Sequence, residues 1–185
     1  MILRTFIVSD IHSPDSFQMM ELKKAEYDLV LTLGDIPRDT LNYILFMSKE
    51  IQSYGVLGNH DPKEILSLNN IHCKVVDYNG IRIGGFGGAL KYKDEPNHYT
   101  ENEVTKNMQQ MPPVDIFISH AAPFCVPDPD DTVHNGFKAF DNYMIRNKPK
   151  YWLHGHLGIR QHIRKFDTEI YSIVGKQPLI LKGLL

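Results

Sequence analysis

Five times in this sequence a short apolar run stops at a small cluster of Asp, Asn or His, usually beside a glycine. Asp10-Ile11-His12 follows Ile2–Val8, Gly34-Asp35 follows Leu29–Leu33, and Gly58-Asn59-His60-Asp61 follows Tyr54–Leu57. Ser119-His120 closes the run 115–119, and His154-Gly155-His156 follows Tyr151–Leu153. Apolar runs of this length, bounded by polar breaks, read as buried strands. In a mostly parallel sheet the polar clusters would then line one edge, the place where open α/β sheets bind ligands.

The segments between the early runs carry helical spacing. Ser16–Glu26 and Asp39–Ser53 alternate with the first three strands, giving β-α-β-α-β and parallel pairing. In the second of these, Leu41, Ile44, Leu45 and Ile51 recur on one face, with Thr40 or Asp39 available as an N-cap. Asn79-Gly80, between Lys74–Tyr78 and Ile81–Phe86, marks a hairpin where the sheet turns antiparallel. Further on, Lys91–His98 reads as a surface loop, Glu101–Gln110 and Gly136–Asn147 as helices, and the tail from Ile159 to Leu184 as a closing antiparallel meander. With 185 residues, 42% of them hydrophobic, the sequence suits a single α/β domain spanning 1–185.

Charge and cysteine content exclude several classes. A net charge of −2 provides no broad basic field for holding long nucleic acid non-specifically. Cys73 and Cys125 are too few for a disulfide framework and are expected to be reduced thiols. Met1–Val8 is interrupted by Arg4 and reads as a first strand rather than a signal peptide. No apolar run approaches the length of a membrane span, so a soluble cytoplasmic protein is expected and no membrane partner.

The clusters contain metal-ligand chemistry. Alternate residues of an extended segment point the same way, so Asp10 and His12 can reach one cation, as can His154 and His156. Carboxylate, amide oxygen and imidazole without thiolate suit Mn, Fe or Zn in a catalytic rather than a structural site. A carboxylate such as Asp35 can bridge two cations, which activate a water and clamp phosphate oxygens.

In this order, DxH, GD, GNHD, SHAAP and HGH resemble the motifs of the calcineurin-like metallophosphoesterase superfamily, and the segment His134–Phe140 resembles its compact prokaryotic members. The resemblance implies a four-layer α/β/β/α sandwich with two mixed sheets. It also implies a two-metal hydrolase of phosphate esters, most simply a phosphodiesterase acting on a small or nucleotide-type substrate through a metal-bridging hydroxide. Carried onto this sequence, Asp10 and His12 hold the first metal, Asp35 bridges, and Asn59, His120 and His156 complete the second. His60 is the general acid, with Asp61 as its carboxylate partner. Arg38, His134 and His154 are further candidates for substrate contact or for support of the ligands.

One position departs from the pattern. The family's last motif usually reads GHxH, whereas here Gly158 stands where the final histidine would ligate the first metal. The first site is therefore expected to be weak unless His154 or His162 compensates. A catalytically weakened nucleotide-binding or scaffold protein is the rival from another class. A nuclease and a protein phosphatase rank lower, since the charge does not suit the former and Gly34–Asp39 matches only part of the GDxxDRG wording of the latter.

Overall fold

The first strand is apolar on both faces because it lies in the interior of a sheet. In the computed structural model, which describes residues 2–11, 26–127 and 134–184, β1 (Ile2–Ser9) runs between β2 (Leu29–Thr32) and β12 (Gly175–Lys182), and Phe6, Ile7 and Val8 are fully buried. The order of this sheet is β12-β1-β2-β3, with β3 covering Gln52–Gly55. Strands β1, β2 and β3 are parallel and β12 is antiparallel to β1.

A second sheet has the order β10-β11-β9-β8-β5-β4, from β10 (Gln161–Lys165), β11 (Thr168–Ser172), β9 (Tyr151–His154), β8 (Ile116–Ser119), β5 (Ile81–Phe86) and β4 (Lys74–Tyr78). Its inner four strands are parallel and its two edges antiparallel. The β4–β5 hairpin turns at Asn79-Gly80, both with positive φ, as a type I′ turn requires. A small parallel ladder, β6 (Ala89–Leu90) with β7 (His98–Tyr99), closes the base of the loop expected over Lys91–His98.

Three apolar clusters define the layers. Leu31, Ile7, Ile83, Ile118 and Leu153 interleave between the two sheets. Phe6, Val30, Leu41 and Ile44 join the outer face of the first sheet to α1 (Arg38–Met47). Phe117, Phe140, Met108 and Trp152 join the outer face of the second to α2 (Glu101–Gln110) and α3 (Lys138–Asn147). This is the expected four-layer α/β/β/α sandwich with two mixed sheets.

Helix ends follow local chemistry. Thr100 and Glu103 form a capping box at the start of α2, worth about 1 kcal/mol. Phe137, the N-cap before α3, gives no side-chain cap, and Glu101 on α2 accepts from the Ala139 and Lys138 amides instead, fastening the two helices together.

Three expectations change. Helix α1 stops at Met47 rather than Ser53: the Ser48 hydroxyl donates back to the Ile44 carbonyl and Ile51 reaches the core from a turn. Neither Thr40 nor Asp39 caps it, because the helix begins one residue earlier behind Pro37. The tail is not a meander: β10 and β11 pair as a hairpin, but β12 crosses to the other sheet and pairs with β1 along its whole length. A strand-length apolar pattern does not state which sheet receives it. The helix read over Ser16–Glu26 falls almost entirely outside the described residues. Among the described residues, no helix is long and apolar enough to cross a membrane.

Candidate metal centre

The polar clusters do converge, but from the ends of two sheets rather than one. Asp10, Asp35 and Asn59 follow β1, β2 and β3 of the first sheet, while His120 and His156 follow β8 and β9 of the second. The Asp10 and Ile11 amides donate to the carbonyls of Gly34 and Asp35 (3.1 and 2.9 Å), tying two of the loops together. The sheets meet where the Gly155 amide donates to the His120 carbonyl at 3.0 Å and the His156 amide donates to Asp10 Oδ2 at 3.0 Å. A Cβ on Gly155 would collide with Ser9 Oγ and Asp10 Oδ2, so only glycine lets the loop approach this closely.

Three of the converging residues hold left-handed backbone: Asp10 (φ 52°), Asp35 (φ 53°) and His156 (φ 70°). This is uncommon for residues with a Cβ and persists only where neighbours fix it, as happens at functional sites.

Ligand atoms of Asp10, Asp35 and His120 lie within 4.8 Å of one another, and all three residues are buried. His120 Nδ1 faces the Leu33 carbonyl at 2.8 Å, so that nitrogen carries a proton. Its Nε2 then faces Asn59 Oδ1 at 3.0 Å and Asp35 Oδ2 at 3.4 Å. Three electron-rich atoms aimed at one point need a proton or a cation between them. The Nδ1-to-carbonyl bond is also the usual way a ligating histidine is oriented.

Titration follows the same geometry. Burial would raise the Asp35 carboxyl, but the His120 ring and the His60 amide, which donates to Asp35 Oδ1 at 2.9 Å, outweigh it and hold the group at about 2. Burial lowers His120, yet its bond to Asp35 raises it above the ordinary imidazole value. His156 is held down at about 3, first by burial and then by the charges of His120 and His134. A ring kept neutral keeps its lone pair for a cation. The His156 ring lies 5.0 Å from that of His120 and 5.4 Å from that of His134, so His134 adjoins the group.

The other candidates are placed differently. His60 is exposed at the mouth. Asp61 is not hydrogen-bonded to the His60 ring among the described residues. Its Oδ2 accepts the Asp35 and Gly58 amides at 2.9 and 2.8 Å, making it a clamp on the ligand loops. His154 is fully buried, in register with Ser119 and Ser172, and burial lowers it to about 4. Its Nδ1 meets the Gly155 carbonyl, and its Nε2 has no hydrogen-bond partner among the described residues. Strand alternation sets it on the same face as Trp152 in the outer core, a poor position for replacing a ligand to the first metal. His162 is bound to Glu169 at 2.7 Å and stacked on Tyr171, on a hairpin at the sheet edge. Gly158 has φ +66°, and among the described residues nothing lies within 4 Å of a Cβ placed there. His12 lies outside the described residues.

Arg38 lines a cleft of about 290 Å³ together with Asp35, His60, Asp61 and Pro62. Sequence reasoning did not identify Ser9, whose hydroxyl donates to Asp10 Oδ2, or Asn97, whose side chain donates to the Asp61 carbonyl at 3.0 Å. Ser9 is marked only by its adjacency to Asp10, and nothing in the polar loop around Asn97 distinguishes it. Burial holds the Cys125 thiol up at about 12, which suits an inert residue.

The donor set of two carboxylates, an amide oxygen and imidazoles fits divalent cations of the Mn, Fe or Zn type. The chain matches the family model described as calcineurin-like phosphoesterase over residues 3–159. An uncharacterized protein of Haemophilus influenzae is 24% identical over 179 residues, covering 73% of this chain and 74% of that protein. Among solved structures, TT1561 of Thermus thermophilus superposes with a TM-score of 0.66 at 13% identity, covering 95% of this chain and 90% of that one. The phosphopantetheinyl hydrolase of Mycobacterium tuberculosis gives a TM-score of 0.59 at 12% identity, over 92% and 89% of the two chains. A family model that spans most of the chain, on a fold shared with these structures and with a ligand group where its loops meet, makes this chain a member of the calcineurin-like phosphoesterases, metal-dependent hydrolases of phosphate esters.

Proposed function

We propose that the chain is a phosphodiesterase of small or nucleotide-type substrates. Asp35 would be shared between two divalent cations, Asn59, His120 and His156 would hold one of them, and Asp10 with His12 would hold the other. The observation that carries this reading is the convergence of Asn59 Oδ1 and Asp35 Oδ2 on His120 Nε2, with Asp10 within reach of the same group. Bound there, the cations supply Lewis acidity toward the phosphoryl oxygens and an activated water.

The chain's own residues do the rest. The Asp35 amide and carboxylate are fixed by Asp61 and by the His60 amide, so the shared ligand does not reorient when charge develops. His60, anchored through its backbone and exposed at the mouth, presents a ring N–H to the departing alkoxide. Ile11, Ile36, Pro37 and Pro62 line the cleft beside it. The cleft's modest volume favours a small ester over a polymer, and the net charge of −2 gives no grip on long nucleic acid. Manganese, and a cytoplasmic setting where it is available, complete the reading.

Gly158 supports a second reading, a nucleotide-binding protein with weakened catalysis. No side chain stands at that position to complete the first site. Assaying purified protein against methyl para-nitrophenyl phosphate with Mn, Fe(II) and Zn separates the two. Metal-stimulated turnover that disappears in His60→Gln, with metal binding retained, supports the enzyme. Tight nucleotide binding without turnover in any metal supports the second reading.

A further inference from the structure

The cleft that holds His60 also holds a cation of the protein's own. Arg38, the first residue of α1, lines it with Ile36, Pro37 and Pro62, and its side chain is exposed. Four of the five other arginines have acceptors for their side chains among the described residues, Arg82 being the exception: Arg4 has Asp28, Arg146 the Met108 carbonyl, Arg160 the Val174 carbonyl and Arg164 the Glu169 carboxylate. Arg38 has neither an ion pair nor a hydrogen-bond acceptor among the described residues. The two carboxylates that share the cleft are already engaged, Asp61 by two backbone amides and Asp35 by the His60 amide and the His120 ring. The guanidinium is thus left with its full donor capacity at a cleft lined by Ile36, Pro37 and Pro62 as well as by His60, and its planar fork suits bidentate capture of a carboxylate or phosphate.

The proton donor decides which part of the substrate lies there. If His60 protonates the departing oxygen, the alcohol portion occupies the cleft that His60 lines. At about 290 Å³ that space matches a small alcohol. We propose that Arg38 is a specificity residue that recognises an anionic group on the leaving alcohol. The favoured substrate is then a phosphate ester of a small alcohol that itself carries a carboxylate or a second phosphate. This rests on the reading of the site as a phosphoesterase with His60 as proton donor.

Three methyl aryl phosphodiesters test it: one with para-nitrophenol as leaving group, one with a carboxylated para-nitrophenol and one with a phosphono-substituted para-nitrophenol. The Mn-loaded wild type should favour the charged leaving groups in kcat/KM by about tenfold or more, the worth of a charge-assisted hydrogen bond. In Arg38→Gln that ratio should collapse, mainly through KM, and Arg38→Lys should restore part of it. The better of the two charged esters identifies the anion as carboxylate or phosphate. Calorimetric titration of the free carboxylated nitrophenol reads the same contact without turnover, and its binding should weaken in Arg38→Gln. Equal ratios in wild type and Arg38→Gln, with the uncharged ester still hydrolysed, would overturn the role of Arg38 and leave the phosphoesterase reading intact. Absence of turnover of all three esters removes that reading, and unchanged binding of the charged alcohol in Arg38→Gln then removes the role of Arg38 as well.

Discussion

The Asp10 carboxylate accepts the backbone amide of His156 at 3.0 Å across 146 residues of sequence, and this bond joins the loop ends of the two sheets. Since Asp10 and His156 are both candidate ligands, the sheet interface and the metal group are one structure. A change that separates the sheets here should be felt as lost metal affinity.

Gly155→Ala is the smallest such change. The added methyl would overlap Ser9 Oγ and Asp10 Oδ2, both held in a buried hydrogen bond. Overpacking of this kind costs about 1–3 kcal/mol. Thermal unfolding should register that loss, and Mn titration should show weaker binding than in wild type. Unchanged Mn affinity would mean that Asp10 and His156 move without consequence for the cation.

Asp61 offers a sharper test, since its position admits two roles. If it acts as a clamp accepting the Asp35 and Gly58 amides, Asp61→Asn keeps an acceptor oxygen and most of the activity, while Asp61→Ala loses about tenfold or more in kcat/KM as two buried amides lose their partner. If it acts instead by its charge on His60, the Asn variant falls as far as the Ala variant. Steady-state kinetics on the three proteins decides between them.

The fold was legible from the sequence because its apolar runs alternate with helical spacing, and the hairpin at Asn79-Gly80 announces itself through residues that tolerate positive φ. The site was legible because Asp35, Asn59, His120 and His156 are residue types with few other reasons to follow strands. What escaped was non-local. The Leu33 carbonyl that orients His120 is a backbone atom with no side-chain signal. Strand β12 pairs with β1 through contacts between residues some 170 positions apart, Thr5 Oγ1 donating to the Leu179 carbonyl among them. The family resemblance made Asp61 a carboxylate partner of His60, yet its Oδ2 accepts the Asp35 and Gly58 amides.

A pH dependence follows from a histidine outside the metal group. His72 Nδ1 accepts the Gly87 amide at 3.0 Å, and the ring lies against Phe86 and Tyr99. Burial, with a smaller contribution from Lys74, depresses it to about 4. Below the ordinary histidine value near 6.5 the unfolded chain takes up a proton that the folded chain refuses. The contribution of His72 is therefore fully present above about 6.5 and is lost as pH falls toward 4. Between pH 7 and pH 5 this amounts to about 2 kcal/mol. Urea unfolding of metal-free wild type and His72→Phe should show a smaller loss in the variant over that interval. Parallel pH profiles would contradict the assignment.

Gly158 should govern the weaker cation. Among the described residues nothing crowds a Cβ at this position, so a side chain can be added there at the cost of about 1–2 kcal/mol for a left-handed backbone. Gly158→His is expected to lower the Mn concentration needed for half-maximal activity, even as thermal stability falls slightly. Identical metal dependence in the two proteins would show that the first site lacks nothing.

Cation positions test the proposed centre most directly. Crystals grown with manganese and measured at an anomalous wavelength should show two peaks about 4 Å apart, one on each side of the Asp35 carboxylate. The fuller peak should be bounded by Asn59, His120 and His156, and the weaker one should lie beside Asp10. A map with no peak at Asp35, or with manganese bound only away from His120, would contradict a centre shared through Asp35.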